Sequence, residues 1–366
     1  MSGGVVQLVA TGIQDVHLTG NPEVSFFRSN FKRYTQFAMS NELQLLQGSP
    51  TPGGVSTVRF EKKGDLLGYT YLMIKDNSVS PNGLIRTAAD FNGWASIIDN
   101  VELVIGGQVI DTQDVFFSNT VSPSYLSSSL STRFTTGGLH FLPFQFFFCK
   151  DFQSAIPLVS LSYHDVELRI TWASTYSLAS TIEFRLFSNF VYLDSEERKY
   201  FAEKPIDLLI YQVQRVVSQP NYYQDIVFNH PVKFIAFPCV RYLDPRQTLK
   251  LQVNGVDIGV DKPLIHYSQV NPYYHTAYGW DPAVYPQDKP LALIPFCLDT
   301  SKLQPTGTLN FSRIDTFRLV TNTSNTIGGA GNTSNIVDVP RSQYIYAVNY
   351  NVLRIAKGLG GLLYSS

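Results

Sequence analysis

Apolar and polar residues alternate one by one through several short stretches of the chain. Val166-Glu167-Leu168-Arg169-Ile170, Ile182-Glu183-Phe184-Arg185-Leu186 and Leu249-Lys250-Leu251-Gln252-Val253 all do so. A period of two puts the apolar side chains on one face of a β-strand and the polar ones on the other. Clusters of Pro, Gly, Ser and Asn separate such runs at short intervals, the pattern of a sandwich or barrel. Helical periodicity is confined to two places. Asp194 is placed as an N-cap with Glu197 three residues later, opening a charged segment through Glu203. Asn21-Pro22-Glu23 reads as a cap and first-turn proline, after which Val24, Phe27, Phe31 and Tyr34 recur at helical spacing.

A longer repeat is superimposed on the strand pattern. Val101-Glu102-Leu103-Val104-Ile105-Gly106-Gly107 is matched 148 residues later by Leu249-Lys250-Leu251-Gln252-Val253-Asn254-Gly255. The same shift carries Cys149 to Cys297, Asp151 to Asp299, Pro157 to Pro305, Leu161 to Leu309, Tyr163 to Phe311 and Val166 to Ile314. One inserted residue then brings Leu168-Arg169-Ile170 onto Phe317-Arg318-Leu319. Gly-Gly and Asn-Gly tolerate the positive φ of a two-residue hairpin turn, so each copy predicts a hairpin at the same place. A shared hairpin and shared spacing imply a duplicated all-β domain, each copy a sandwich of its own. The boundary is expected near Pro205 to Pro220, with the apolar run Leu208 to Val217 as a buried, stiff, strand-like linker. Ser122 to Gly138, Val260 to Pro290 and Thr321 to Pro340 are expected as surface loops at one end of a sandwich.

At 366 residues and 41.0 kDa the chain can bury two cores of ordinary size. Charged residues are 16%, against about 25% in typical soluble proteins, whereas aromatics reach 13%. Such a surface suits strands, and also a protein that hides much of its exterior against neighbours. The net charge of -1 offers no basic stripe able to displace counterions from nucleic acid, so sequence-specific nucleic-acid binding is not expected. The nearest cluster, Arg28, Lys32 and Arg33, reads first as a solvated helix face. Cys149, Cys239 and Cys297 are widely spaced and form no C-x-x-C pair, which predicts reduced thiols and neither a disulfide framework nor a zinc site. The N-terminus lacks the features of a signal peptide, and no stretch approaches the ~20 apolar residues of a membrane span.

Reactive constellations are not evident. His17, His140, His164, His230, His266 and His275 form no H-x-x-x-H pattern, and His164 and His230 read as turn or strand-end residues. There is no G-x-S-x-G elbow and no phosphate-cradling P-loop, and Lys357-Gly358-Leu359-Gly360-Gly361 has no helix after it. No catalytic residue, cofactor or metal is assigned. Asn310, Asn322 and Asn332 head N-x-[ST] triplets, candidate glycosylation sites at a frequency the composition gives by chance.

Several longer blocks are more specific. Gln7 to Pro22 continues into Phe26-Phe27 and Phe31-Lys32-Arg33-Tyr34-Thr35-Gln36-Phe37. Further blocks are Val101 to Asp111, Ala155 to Leu168, Tyr192-Leu193-Asp194 through Phe201-Ala202, Phe228-Asn229-His230-Pro231, Pro305-Thr306-Gly307 with Leu309 to Asp315, and Tyr350 to Ile355. From end to end they resemble the major capsid proteins of the nucleo-cytoplasmic large DNA viruses, of the algal virus and iridovirus type. The resemblance implies an all-β fold of two tandem eight-stranded jelly-roll sandwiches with a few short helices. It divides the chain into an inner-face segment 1-24, a first jelly-roll 25-213 and a second 214-366. It also implies a structural role: homotrimers forming pseudo-hexagonal capsomers of an icosahedral double-stranded DNA virus shell, assembled in the host cytoplasm. Partners would be other copies of the chain, neighbouring capsomers, minor capsid and penton proteins and an internal membrane, with Arg28, Lys32 and Arg33 as candidate inner-face contacts. The chain is shorter than most members and its first-barrel loops look trimmed, which bears on the size of any outer tower. Two rival readings are a glycan-acting hydrolase on paired jelly-rolls, with a cleft of converging carboxylates and Trp, and a lectin-like module. For the former, Trp94, Trp172 and Trp280 are the available tryptophans, and they are scattered.

Overall fold

The computed structural model describes residues 3–78, 83–86, 93–127, 140–174, 180–219, 221–239, 246–277, 291–322 and 344–364. It divides into two compact units, Met1–Gln36 and Phe37–Ser366. The first holds a short helix α1 (Gly3–Val9), a 3-10 turn over Ile13–Asp15 and one helical turn α2 (Val16–Thr19). Asp15 anchors that turn, its carboxylate accepting from Gly12 N at 2.8 Å. The helix expected from Val24 to Tyr34 is not formed. Asn21 turns the chain at φ 52°, and the residues from there to Gln36 form no regular element, with a turn at Phe26-Phe27. Val24, Phe27, Phe31 and Tyr34 are all well exposed. A short amphipathic segment gains most of its helical stability by packing its apolar face, and within this unit there is nothing to pack on.

The second unit is all-β, and every pairing described is antiparallel. Its first half contributes β1 (Phe37–Gln44), β2 (Val55–Arg59), β3 (Leu66–Asp76), β4 (Leu84–Ile85), β5 (Ile98–Ile105), β6 (Gln108–Asp114), β7 (Phe141–Pro143), β8 (Ile156–Pro157), β9 (Val166–Trp172) and β10 (Ile182–Leu193). These make one sheet in the order β1-β10-β3, whose fourth position is assembled from β4, β7 and β8 along β3, and a second in the order β2-β9-β5-β6. The second half contributes β11 (Ile206–Val217), β12 (Tyr223–Ile226), β13 (Pro231–Pro238), β14 (Thr248–Val253), β15 (Val256–Pro263), β16 (Leu291–Pro295), β17 (Leu309–Asn310), β18 (Phe317–Thr321), β19 (Tyr344–Ala356) and β20 (Leu359–Leu362). Their sheets run β11-β19-β13-β16 and β12-β18-β14-β15, the same topology in the same sequence order. Two four-position sheets so connected are the jelly-roll, here present twice. In each half the core lies between the two sheets, with Val58, Leu103 and Leu168 facing Leu72, Ile74 and Phe190 in the first, and Leu249, Phe317 and Leu319 with Val232, Ile235 and Phe237 in the second.

The repeat has a physical counterpart that shifts along the chain. Gly106 and Gly107 (φ 56° and 84°) and Asn254 and Gly255 (φ 49° and 78°) form the two hairpin turns, 148 residues apart as expected. Thereafter the offset grows. The unit of β8 followed by a 3-10 turn, Ile156 to Ser160, recurs as β17 with its turn, Leu309 to Arg313. Pro157 thus corresponds in pairing to Asn310 and not to Pro305. Leu103 faces Leu168 as Leu251 faces Leu319, so β9 matches β18 two residues beyond the alignment made on sequence. Two of the three segments expected as loops contain helix: a single π-helical turn Phe117–Val121 leads into α3 (Ser122–Tyr125), and His266–Val270 into α5 (Asn271–His275), while Val260 to Pro263 belongs to β15 and Thr321 ends β18. Their remainders, from 128, 278 and 323, lie outside the described residues.

Two expected boundaries are displaced. Among the described residues no strand precedes Phe37, and 25–36 belongs to the Met1–Gln36 unit. The cut between 213 and 214 falls inside β11, all of which pairs with β19. Leu208 to Val217 is therefore no linker but an integral strand of the second sandwich. The halves change over between Leu193 and Ile206, across α4 (Ser195–Glu203), whose N-cap Asp194 accepts from Ser195 N at 2.8 Å. Asp65 fixes this helix by pairing with Arg198 at 3.0 Å and accepting from Leu193 N.

Leu168 and Leu319 are equivalent and both 0% exposed. Replacing either by Ala should cost about 2–5 kcal/mol, whereas Arg169→Ala in the neighbouring outward position should cost under about 0.5 kcal/mol. Denaturant unfolding midpoints check this.

Candidate assembly surface

The junction between the sandwiches follows from one segment. After β6 the chain turns helical at Phe117, and Phe116, Phe117, Val121, Tyr125 and Leu126 form a plug. The plug packs on the outer face of the β11-β19-β13-β16 sheet, against Phe234, Ala236, Leu291, Leu293, Tyr346 and Val348. Phe116 stacks on Tyr346 at 5.8 Å and Tyr125 meets Phe234 edge-on at 6.0 Å. Tyr125 closes the contact by donating to Leu291 O at 2.8 Å, while Thr300 Oγ1 donates to Tyr125 O. β13 and β19 are buried on both faces as a result, and read Val232-Lys233-Phe234-Ile235-Ala236-Phe237 and Ile345-Tyr346-Ala347-Val348 without alternation.

Two buried carboxyls stitch β6 to this sheet. Asp111 accepts from Val213 N at 2.9 Å and from Gln113 Nε2 at 2.8 Å. Asp114 accepts from Tyr346 OH at 2.6 Å and Phe117 N at 2.8 Å, with Arg215 at 3.4 Å. Burial raises both pKa values, that of Asp111 to about 7, because removing a carboxylate from water outweighs the bonds it accepts.

The C-terminal glycines close the other side. Tyr163 N donates to Gly358 O at 3.0 Å, and His164 Nδ1 lies 2.9 Å from Gly360 O. Gly358 adopts φ 81°, and a Cβ there would stand 2.6 Å from the Tyr163 ring. The glycines thus permit close approach of backbone to the first sandwich, and Ile210, Leu353 and Ile355 complete the first core.

The corresponding surfaces elsewhere are bare. Val270 and Tyr274, which stand 149 residues after Val121 and Tyr125, are 39% and 72% exposed where their counterparts are fully buried. β15, the counterpart of β6, is open along its length, with Val256, Ile258 and Val260 exposed. The outer face of β1-β10-β3, the counterpart of the face under the plug, presents Met39, Leu43, Tyr69 and Phe141 around a Tyr71–Phe187 stack at 5.4 Å. An apolar patch of this kind on a folded protein marks a contact surface.

Arg28, Lys32 and Arg33 are exposed in irregular chain, not on a helix. Asn310 is exposed, its Oδ1 accepting from Ser312 N at 3.1 Å. The Asn322 side chain clips β14 by accepting from Thr248 N and donating to Arg246 O. Asn332 and Trp280 lie outside the described residues. Trp94 and Trp172 are buried in the first core, and His230 sits in a turn at φ 65°. Sequence reasoning missed the plug, although the unbroken apolar runs of β13 and β19 carry its signature, since a strand covered on both faces loses its alternation.

Residues 25–199 match the family described as major capsid protein N-terminus, and residues 239–361 the one described as large eukaryotic DNA virus major capsid protein. The chain belongs to the major capsid proteins of large eukaryotic DNA viruses. It is 30% identical to the major capsid protein of Pyramimonas orientalis virus over 417 positions and 29% identical to that of Paramecium bursaria Chlorella virus 1 over 450, covering all of both chains in each case. In fold it is similar to a chain of the PBCV-1 virus capsid quasi-atomic model, with a TM-score of 0.72 at 24% identity over 93% of this chain and 100% of the other. The Faustovirus major capsid protein is similar at a TM-score of 0.54, 13% identity and 94% of each chain. The chain is accordingly a structural protein of the virion capsid. Its family is one of shell proteins and not of enzymes, which sets aside the hydrolase and lectin readings.

Asp111 gives the junction a pH signature. A carboxyl whose pKa is higher folded than unfolded stabilises the fold below about pH 4, and that contribution is lost as pH rises to about 7. His230 and His266, lowered by burial, slope the other way and are common to any Asp111 variant. Unfolding free energies across pH 4 to 7 should therefore fall more steeply in the unaltered protein than in Asp111→Asn, by up to ~1.4 kcal/mol per pH unit. Equal slopes would show that Asp111 titrates normally.

Proposed function

We propose that three copies of the chain close into a pseudo-hexagonal capsomer, with β15 and α5 of one copy seated on the β1-β10-β3 face of the next. The observation that carries this reading is the pairing of one satisfied junction inside the chain with two bare surfaces of the same kind at its ends. A contact between unlike surfaces closes into a ring when its rotation divides a full turn. Three chains of two sandwiches each would supply six like junctions, three internal and three between copies. Low charge and high aromatic content suit both these contacts and those between neighbouring capsomers.

The same reading assigns minor capsid and penton proteins as further partners. The Met1–Gln36 unit, with Arg28, Lys32, Arg33 and its exposed apolar side chains, would face them or an internal membrane on the inner side of the shell. Assembly in the host cytoplasm is supported by Cys149, Cys239 and Cys297, all unpaired thiols. Asn310, Asn322 and Asn332 remain candidate modification sites, Asn322 at the expense of its clip on β14.

Light scattering of the purified protein should give about 123 kDa, three times the 41.0 kDa chain. Ile258→Asp on β15 and Met39→Asp on β1 should each yield a 41.0 kDa monomer with unchanged circular dichroism. A monomeric parent protein, or trimers in both variants, would refute the arrangement.

A further inference from the structure

Beside the plug, a cavity of about 30 Å³ lies where the two sandwiches meet, lined among others by Lys150, Tyr211, Lys233, Thr300, Lys302 and Tyr350. Its lining is unusual for the interior of a protein. Lys233 is only 4% exposed, on a strand otherwise occupied by apolar side chains. Its Nζ donates to Lys302 O at 3.0 Å and lies 5.5 Å from the centre of the Tyr350 ring. The Nζ of Lys150 is buried and makes no hydrogen bond among the described residues, resting 5.6 Å from the centre of the Tyr211 ring. The hydroxyl of Tyr350 is also buried, with no hydrogen-bond partner among the described residues.

The polar groups nearby do not answer these donors. Tyr211 OH gives its proton to Gln145 O at 3.1 Å. Thr300 Oγ1 is turned to Tyr125 O and His275 O, and Ser301 Oγ to Asp299. The carboxylates in reach are Asp151, which is exposed, and Asp299, which is engaged by Ser301 and Lys302. Two ammonium groups of like charge and a phenol thus converge on one small space. Burial and their mutual repulsion push the Lys150 pKa well below its ordinary value, and burial lowers that of Lys233. A buried ammonium group with no carboxylate hydrogen-bonded to it is costly for a fold to retain, and a small anion placed between the two would supply a nearer counter-charge than Asp151 or Asp299 and the missing acceptors.

We infer that this cavity binds one small monovalent anion, of halide or carboxylate size, held by the Lys150 and Lys233 ammonium groups and the Tyr350 hydroxyl. The ion acts as a clamp between the sandwiches, because Lys150 comes from the first and Lys233 and Tyr350 from the second. The site lies within one chain and is independent of how copies assemble.

The test is thermal unfolding of the full chain at constant ionic strength, with sodium gluconate, too large for the cavity, replaced stepwise by sodium bromide or sodium acetate. The midpoint should rise and saturate, as for any ligand that binds only the folded state. A response to acetate alone would identify a carboxylate as the occupant, and a response to both a site defined by charge and size. Lys150→Met and Lys233→Met should abolish the saturable part. Tyr350→Phe, which removes one oxygen and is the variant expected to fold without difficulty, should weaken it. Crystals of the unaltered protein grown in bromide should show an anomalous peak within reach of both lysines. A midpoint that climbs without saturating, or equally in Lys150→Met or Tyr350→Phe, or, where bromide gives the saturable rise, crystals without a bromide peak within reach of both lysines, overturns the inference.

Discussion

The second sandwich has a sheet that is apolar on both faces, and this imposes the rest of the arrangement. β13 and β19 turn one face to their own core and the other to Phe116, Phe117, Val121 and Tyr125 of the preceding half. Without that cover, Phe234, Leu293, Tyr346 and Val348 would stand in water, at about 25 cal/mol for each Å² of apolar surface returned to solvent. The C-terminal hairpin returns the constraint, since Leu353 and Ile355 finish the first core. Each half therefore completes the other, and the two jelly-rolls sit within one compact unit.

Duplication made the two halves alike and their environments made them different. β6 and β15 occupy the same place in the same topology, yet β6 is sunk in the junction while β15 lies open. Asp111 and Asp114 are tolerable on β6 because backbone N–H groups and the Tyr346 hydroxyl bond them as they leave water. On the far faces, Met39, Tyr69 and Phe141 on one side and Val270 and Tyr274 on the other remain uncovered. A shell protein needs this combination, a rigid body with fixed internal geometry and outer surfaces left for neighbours.

What failed to show in the sequence failed for identifiable reasons. The stripe from Val24 to Tyr34 has helical spacing, but spacing forms a helix only where a face is buried, and here none is. Leu208 to Val217 looked like a linker because it lies between the repeats, whereas its pairing with β19 assigns it to the second sandwich. Hydrogen bonding between residues more than a hundred positions apart leaves no local trace. The shift of 148 residues held at the hairpin, where turn chemistry demands glycine or asparagine, and drifted at β8 and β17, where only pairing matters.

Local chemistry in the sequence determined the strands with a polar face, the two hairpin turns, the Asp194 cap and the duplication, and the long blocks determined the family. All of these depend on neighbours along the chain or on whole-length similarity. Only the tertiary structure decided which sheet is covered twice, where one sandwich ends and the next begins, why Gly358 and Gly360 must be small, and that Lys150 and Lys233 meet in one cavity. Those outcomes depend on which distant surfaces come together, and the energy of burial is settled only when they do.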